Sequence, residues 1–244
     1  MPKVNIPILM YHSIDITPKK SIMRGMNVTP KSFIFQMKML NFFGYKGLSI
    51  SQLKPYLDGE KTGKVVGLTF DDGYQNNLKN AAPIMHKYEF SATVYLVSKN
   101  IGLYNSWDLH KNISKRKLMT VDEVKEWIGY GMDIGAHTEN HIDLTKVSKE
   151  KMLSEIKNCK TNLERIFKTS IDDFCYPYGK FDKEVTDIVR KCGFSTATSM
   201  IRGRANLESS HLELPRVPIT YHTLPHLFLA KIYTDYEDRR SWET

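Results

Sequence analysis

The sequence predicts an α/β fold built on a mostly parallel sheet or barrel. Three observations carry the prediction. Short apolar runs of strand length alternate with longer amphipathic stretches along the whole chain. No linker, internal repeat or low-complexity segment interrupts the 244 residues, so a single domain over residues 1–244 is expected. Polar clusters follow several of the apolar runs, and in α/β folds the strand C-terminal ends carry function.

Each element has a local reason. Val4 to His12 reads as a first strand. Pro30 to Phe43 reads as a helix, with Phe33, Met37 and Leu40 at helical spacing. Val65 to Phe70 is a buried strand meeting a loop at Asp-Asp-Gly. Asn76 to Tyr88 is expected to be helical, and Ser91 to Val97, β-branched and aromatic, to be a strand. Thr120-Val-Asp-Glu123 has capping-box spacing and opens a helix through about Tyr130. Met132 to Ala136 is a short strand. Ser148 to Phe167 carries Met152, Ile156, Leu163 and Ile166 on one face. Asp172 to Tyr176 is a strand; Asp182 caps a helix that Gly193 stops. Phe194 to Ala197 is a strand, and Leu224 to Tyr233 is a closing helix.

Composition excludes several classes. With 41% apolar and 11% aromatic residues the chain can bury a core and is not disordered. No run approaches the roughly 18 apolar residues of a membrane span. The opening Met-Pro-Lys-Val-Asn-Ile-Pro lacks the basic head, apolar stretch and cleavage site of a signal peptide, so a cytoplasmic location is expected if Met1 is the native start. Cys159, Cys175 and Cys192 form no Cys-x-x-Cys and read as free thiols. The net charge of +8 is scattered; its densest cluster, Lys111 to Lys117, comes with no nucleic-acid-binding signature, so no nucleic-acid partner is expected.

Four polar clusters fall at predicted strand ends: Tyr11-His12, Asp71-Asp72, His137 to His141 and Tyr176-Pro-Tyr-Gly179. Two adjacent carboxylates after an apolar strand repel each other, and a divalent cation is the usual compensation. A helix N-cap followed by a turn glycine, Gly73, explains the same residues. His137-Thr-Glu-Asn-His141 spaces two imidazoles for a shared metal, although Glu139 is one position out of register for the zinc-helix motif. Together the clusters supply two histidines and one carboxylate at one rim, with coordination positions left for water and substrate and a second Asp left as a base. His12 sits at the same rim and suits the acid that hydrolysis needs at its leaving group. A hydrogen-bonded structural histidine is the other reading there.

Thr69-Phe-Asp-Asp-Gly73, His137-Thr-Glu-Asn-His141 and Tyr176-Pro-Tyr-Gly179, in that order, resemble the first three motifs of the polysaccharide deacetylases with a NodB-type domain, carbohydrate esterase family 4. The resemblance extends over roughly residues 4 to 235. It implies a distorted (β/α) barrel of about seven strands and removal of acetyl groups, N-acetyl first, from a sugar or glycan. It also implies one divalent metal ion, zinc foremost, with Co2+, Ni2+ or Mn2+ as alternatives. By position it makes Asp71 the general base, makes Asp72, His137 and His141 the metal ligands, and gives Tyr178 a backbone N–H for the oxyanion.

The chain departs from the family pattern in two places. Many members carry an Arg two residues before the third-motif Pro, where Cys175 stands here; that Arg orients the catalytic Asp, and Arg216 in Leu214-Pro-Arg-Val217 is the candidate substitute. The late Leu-x-His motif that supplies the acid is missing. Instead Pro7-Ile-Leu-Met-Tyr-His12 is similar to the circularly permuted branch that deacetylates poly-β-1,6-N-acetylglucosamine, which gives His12 the acid's role. His222, in a second Tyr-His pair, is the reserve. Tyr74, Trp107 and Tyr178 are candidates to stack on sugar faces or to pack the core. Two alternatives stand beside this reading: an amide hydrolase of the same fold acting on a non-sugar substrate, and a catalytically silent glycan-binding module, which would not need the full Asp, Asp, His, His set.

Overall fold

A computed structural model describes residues 5–18, 21, 22, 24–111 and 113–240. Strand β1 (Ile8–Tyr11) leads into a short parallel ribbon, β2 (Ser13–Ile14) with β3 (Asn27–Val28). Helix α1 (Pro30–Phe42) follows, with Thr29 as N-cap and Pro30 in its first turn. Strand β4 (Lys46–Leu48), helix α2 (Ile50–Leu57) and strand β5 (Val65–Phe70) come next. Helices α3 (Gln75–Asn80) and α4 (Ala82–Lys87) precede β6 (Thr93–Leu96). The remaining units are α5 (Val121–Gly129), β7 (Asp133–Ala136), α6 (Lys149–Phe167), β8 (Asp173–Cys175), α7 (Lys183–Lys191), β9 (Thr196–Arg202), β10 (Leu214–Pro218) and α8 (Pro225–Tyr233).

All barrel pairings are parallel. The order β1-β10-β9-β8-β7-β6-β5 closes on itself because β1 also pairs with β5, from Ile8↔Gly67 to Tyr11↔Phe70. The result is a seven-strand (β/α) barrel, as the family resemblance implied. Its distortion is visible in the ladders. β7 and β8 meet only at Ala136↔Phe174, the β9–β10 register shifts between Leu214 and Arg216, and β4 takes the first half of β5 before β6 pairs with its last two residues.

The core lies chiefly between the barrel wall and the helices. Tyr11, Phe33, Phe70 and Trp127 form a chain of ring contacts at 5.3–5.6 Å. Strand residues alternate between faces. Tyr11, Phe70, Ala136 and Phe174 belong to this outer core, so the residue after each, His12, Asp71, His137 and Cys175, turns toward the barrel axis. One structural rule thus aims four residues from four strands at one mouth.

Several predicted boundaries shift. The single helix expected over 76–88 is two helices broken at Ala81, because Pro83 opens α4 and donates no N–H to the preceding turn. The strand expected at Phe194 to Ala197 starts two residues later and runs on to Arg202. The first strand begins at Ile8; of its predicted residues Val4 lies outside the described ones. β4, α2 and β10 had no sequence prediction. β4 is three residues long, α2 contains Pro55, and β10 contains Pro215 and Pro218, so each lacks a clear periodic signal. The capping box of α5 forms as predicted, and all three cysteines are free. Among the described residues no helix is long and apolar enough to cross a membrane.

Candidate active site

Asp71 and Asp72 occupy the mouth at the end of β5. Alternation directs Asp71 inward and would send Asp72 outward. Asp72 instead adopts a left-handed backbone (φ 72°), which returns its side chain to the same mouth. Thr138 (φ 63°), His141 (φ 55°) and Tyr178 (φ 59°) do likewise, so four of the six described non-glycine residues with positive φ sit at this site. Such conformations cost of order 1–3 kcal/mol each and cluster where geometry is functional. The turn Pro177–Gly179 is also tightly constrained: a Cβ on Gly179 would lie 2.3 Å from Met200 Cβ.

Asp71 is clamped by Arg216 of β10. Nη1 and Nη2 donate to its two carboxylate oxygens at 2.7 and 2.8 Å, a bidentate pair. The same guanidinium donates to Ser199 O and Thr69 Oγ1, and its Nη2 lies 3.3 Å from Cys175 Sγ. Arg216 therefore stands beside Cys175, the position at which the family resemblance predicts an Arg. Burial pushes the Asp71 carboxyl up, but the Arg216 charge, with help from His12, outweighs burial and holds it below its ordinary value. His12 Nε2 is 3.8 Å from Asp71 Oδ2. Among the described residues the side-chain partners of Asp71 are Arg216 and His12, whereas the backbone N–H of His222 donates to Thr220 Oγ1 and its ring meets Tyr221.

Asp72, His137 and His141 converge on a second point, with one potential ligand atom from each lying within 4.8 Å of the others. Asp72 Oδ1 is 3.2 Å from His141 Nε2 and 3.6 Å from His137 Nε2. These spacings bracket the roughly 3.3 Å expected between neighbouring ligands of a tetrahedral ion with 2.0–2.1 Å bonds. Asp72 Oδ1 is buried without a hydrogen-bond partner, which a coordinated cation would remedy. The Cys175 carbonyl lies 2.7 Å from His137 Nδ1, and such a contact leaves the Nε2 lone pair directed at Asp72. Burial works against a second proton on His137, but Cys175 and the two aspartates favour one and raise the imidazole to about 9, a pull toward positive charge that a cation at Nε2 would answer in the proton's place. Two buried carboxylates against one guanidinium need a further positive charge, and a divalent ion at this triad meets that need. The residues fit a metal.

The loop holding the two histidines is braced from α6. Glu155, fully buried, accepts from Asn140 N (3.0 Å) and Asn140 Nδ2 (2.6 Å), and Thr138 Oγ1 accepts from His141 N. His141 is held by rings: Trp107 stacks on it at 4.5 Å and Tyr178 meets it edge-on at 4.6 Å.

The family model for polysaccharide deacetylases matches residues 58–197. The chain belongs to this family. It is 30% identical over 217 residues to YxkH of Bacillus subtilis (strain 168), covering 88% of this chain and 71% of that protein. It is 26% identical over 216 residues to a poly-β-1,6-N-acetyl-D-glucosamine N-deacetylase of Staphylococcus aureus (strain MRSA252), covering 84% and 71%. The Streptococcus pyogenes deacetylase PplD, solved in complex with acetate, superposes with a TM-score of 0.81 at 27% identity over 94% of this chain and 99% of that one.

The span of the polysaccharide deacetylase model begins after His12 and ends before Arg216, yet barrel closure carries both residues to Asp71. Sequence reasoning did not single out Glu155. Its signal was present: a glutamate lying beside Ile156 between Met152 and Cys159 on the buried stripe of α6. Trp107, expected to favour core packing over sugar stacking, is buried against Tyr74 and Leu118 and is also the flat support of His141.

Proposed function

We propose that this chain is a metal-dependent hydrolase that removes N-acetyl groups from a sugar or glycan. The observation that carries the reading is the adjacency of two charge systems at one mouth: the Arg216–Asp71 clamp and the Asp72–His137–His141 triad. Asp72, His137 and His141 would hold one divalent ion, zinc foremost. Such an ion supplies polarisation of the acetyl carbonyl and a lower pKa for water. Asp71, held ionised and oriented by Arg216, accepts the proton of the attacking water. His12, 3.8 Å from the Asp71 carboxylate, hands a proton to the departing amine. The Tyr178 N–H donates to the carbonyl oxygen as it gains charge, an interaction typically worth on the order of 100-fold or more in rate. Arg216 is a positioning residue, acting through Asp71.

The test measures metal content and acetate release together. Protein purified without chelator is expected to carry about one divalent ion per chain and to release acetate from N-acetylglucosamine oligomers. Asp71→Asn should keep the ion and lose turnover; His137→Ala should lose both. Normal turnover by Asp71→Asn would remove Asp71 from the base's role. A wild-type chain that takes up no zinc, cobalt, nickel or manganese would refute the metal centre.

A further inference from the structure

A cavity of about 740 Å³ opens beside the candidate active site and shares Tyr178 with it. Its apolar wall includes Met200 and Leu227. Its charged lining has one sign: Lys180, Arg202, Lys231 and Arg240 line it, and no carboxylate does. The ion pairs behind that lining are unequal. Lys180 is matched by Asp143 at 2.8 Å. Arg202 and Lys231, however, share a single carboxylate, the fully buried Glu237. Arg202 donates to Oε2 at 2.8 Å, and Lys231 donates to Oε1. One positive charge in this triad is left without a carboxylate of its own. Burial, joined by the nearby Arg202 and Arg240, pulls the Lys231 ammonium below its usual range despite Glu237. The surplus charge is shared with Arg202, which lines the cavity and is a quarter exposed, and an entering anion would pair it.

A second part of the rim has the same sign. Lys115, Arg116 and Lys117, from the basic cluster visible in the sequence, line a cavity of about 340 Å³ together with one carboxylate, Asp15. Among the described residues none of the three cations has an ion-pair partner. Lys115 lies over the Tyr104 ring, and Arg116 lies 5.9 Å from the Tyr74 ring centroid, one residue beyond Gly73. A mouth with this field resists a polymer that gains an ammonium at every deacetylated residue, and it attracts a negatively charged one.

We propose that the cavity beyond Tyr178 receives an anionic group, a phosphate ester or a carboxylate, carried by the substrate on the sugar next to the acetylated one. This rests on the deacetylase reading of the neighbouring site. Arg202 and Lys231 would meet the anion, and Met200 and Leu227 would pack against the sugar carrying it.

The test is calorimetric binding of three disaccharides to the metal-loaded protein: di-N-acetylchitobiose, its 6-phosphate, and an N-acetylglucosamine–glucuronic acid pair. At low salt, one or both anionic sugars should bind about tenfold or more tightly than the neutral one, and the gap should narrow in 0.5 M salt. Which of the two is preferred separates phosphate from carboxylate. Arg202→Gln leaves Lys231 and Glu237 matched one to one; it should abolish the preference while keeping the affinity for the neutral sugar, and Arg202→Lys should retain most of it. With Arg202 in place, equal affinity for all three sugars overturns the proposal without need of any change in the cavity. A preference that survives Arg202→Gln but disappears in Lys115→Gln/Lys117→Gln also overturns it and moves the anion to the other cavity. Binding is read in an Asp71→Asn background, which should keep the ion without turning the sugars over, so an intact preference there beside a wild-type chain that releases no acetate would refute the deacetylase reading and leave the anion site standing.

Discussion

Replacing Arg216 with Met keeps most of the side-chain volume and removes both hydrogen bonds to Asp71, at 2.7 and 2.8 Å. The carboxylate left behind is 3% exposed, with His12 at 3.8 Å as its nearest remaining ion partner. Removing one partner of a buried pair costs about 3–5 kcal/mol. Divided between the fold and the reaction, about 2–4 kcal/mol should reach the base, a loss of roughly 30- to 1,000-fold in kcat/KM. Direction adds a second signature. With Arg216 gone, burial dominates and moves the Asp71 carboxyl up, so the acid limb of the kcat/KM profile should move to higher pH. The most specific arm is rescue. Arg216 Nη2 lies 3.3 Å from Cys175 Sγ, so Cys175→Arg in an Arg216→Ala background places a guanidinium near the same point from β8. That double variant should recover at least about tenfold over Arg216→Ala. The assay is acetate release from N-acetylglucosamine oligomers between about pH 5 and 9, with metal content measured in parallel. A folded, metal-bearing Arg216→Met chain with wild-type kcat/KM and an unmoved acid limb would refute the argument.

Two further perturbations probe the barrel itself. Gly179→Ala puts a Cβ 2.3 Å from Met200 Cβ and 2.7 Å from Met200 N at φ 66°. It should cost on the order of 2–3 kcal/mol in urea unfolding and lower kcat through displacement of Tyr178; wild-type stability and rate would contradict the close packing. Asp173 is buried at the start of β8, where it accepts from Thr196 Oγ1 at 2.5 Å, and burial pushes its carboxyl up to about 6. A raised carboxyl favours the folded state while protonated, so its contribution is full below about pH 4 and is lost as pH rises to about 6. Asp173→Asn should therefore remove that loss and gain about 1–3 kcal/mol at pH 7 relative to wild type. Unfolding curves at pH 4 and pH 7 check this, and a variant equally destabilised at both would disprove it.

Much of the site was legible because its chemistry is local in sequence. The motifs at 69–73 and 137–141 each follow an apolar run of strand length, and the polar residue after each run is the one the barrel uses. The family resemblance turned those pairs into named roles. Other parts were not legible. Asp72 reaches the mouth through a left-handed backbone that no residue type at that position announces. β4 and β10 are short and proline-bearing or weakly patterned, so the strand carrying Arg216 had no periodic signal of its own.

By itself the sequence determined the α/β alternation, the capping of α5 and α7, and the residue types able to bind a metal and move protons. Only the tertiary structure decided that Arg216 grips Asp71 across 145 positions, that Glu155 braces the histidine loop, and that Arg202 and Lys231 share one carboxylate. The physical reason is range. Strand period, caps and motif spacing are set by neighbours within a few residues. Charge pairing inside the barrel depends on closure between β1 and β5 and on a shifted β9–β10 register, and these follow from packing the whole chain at once.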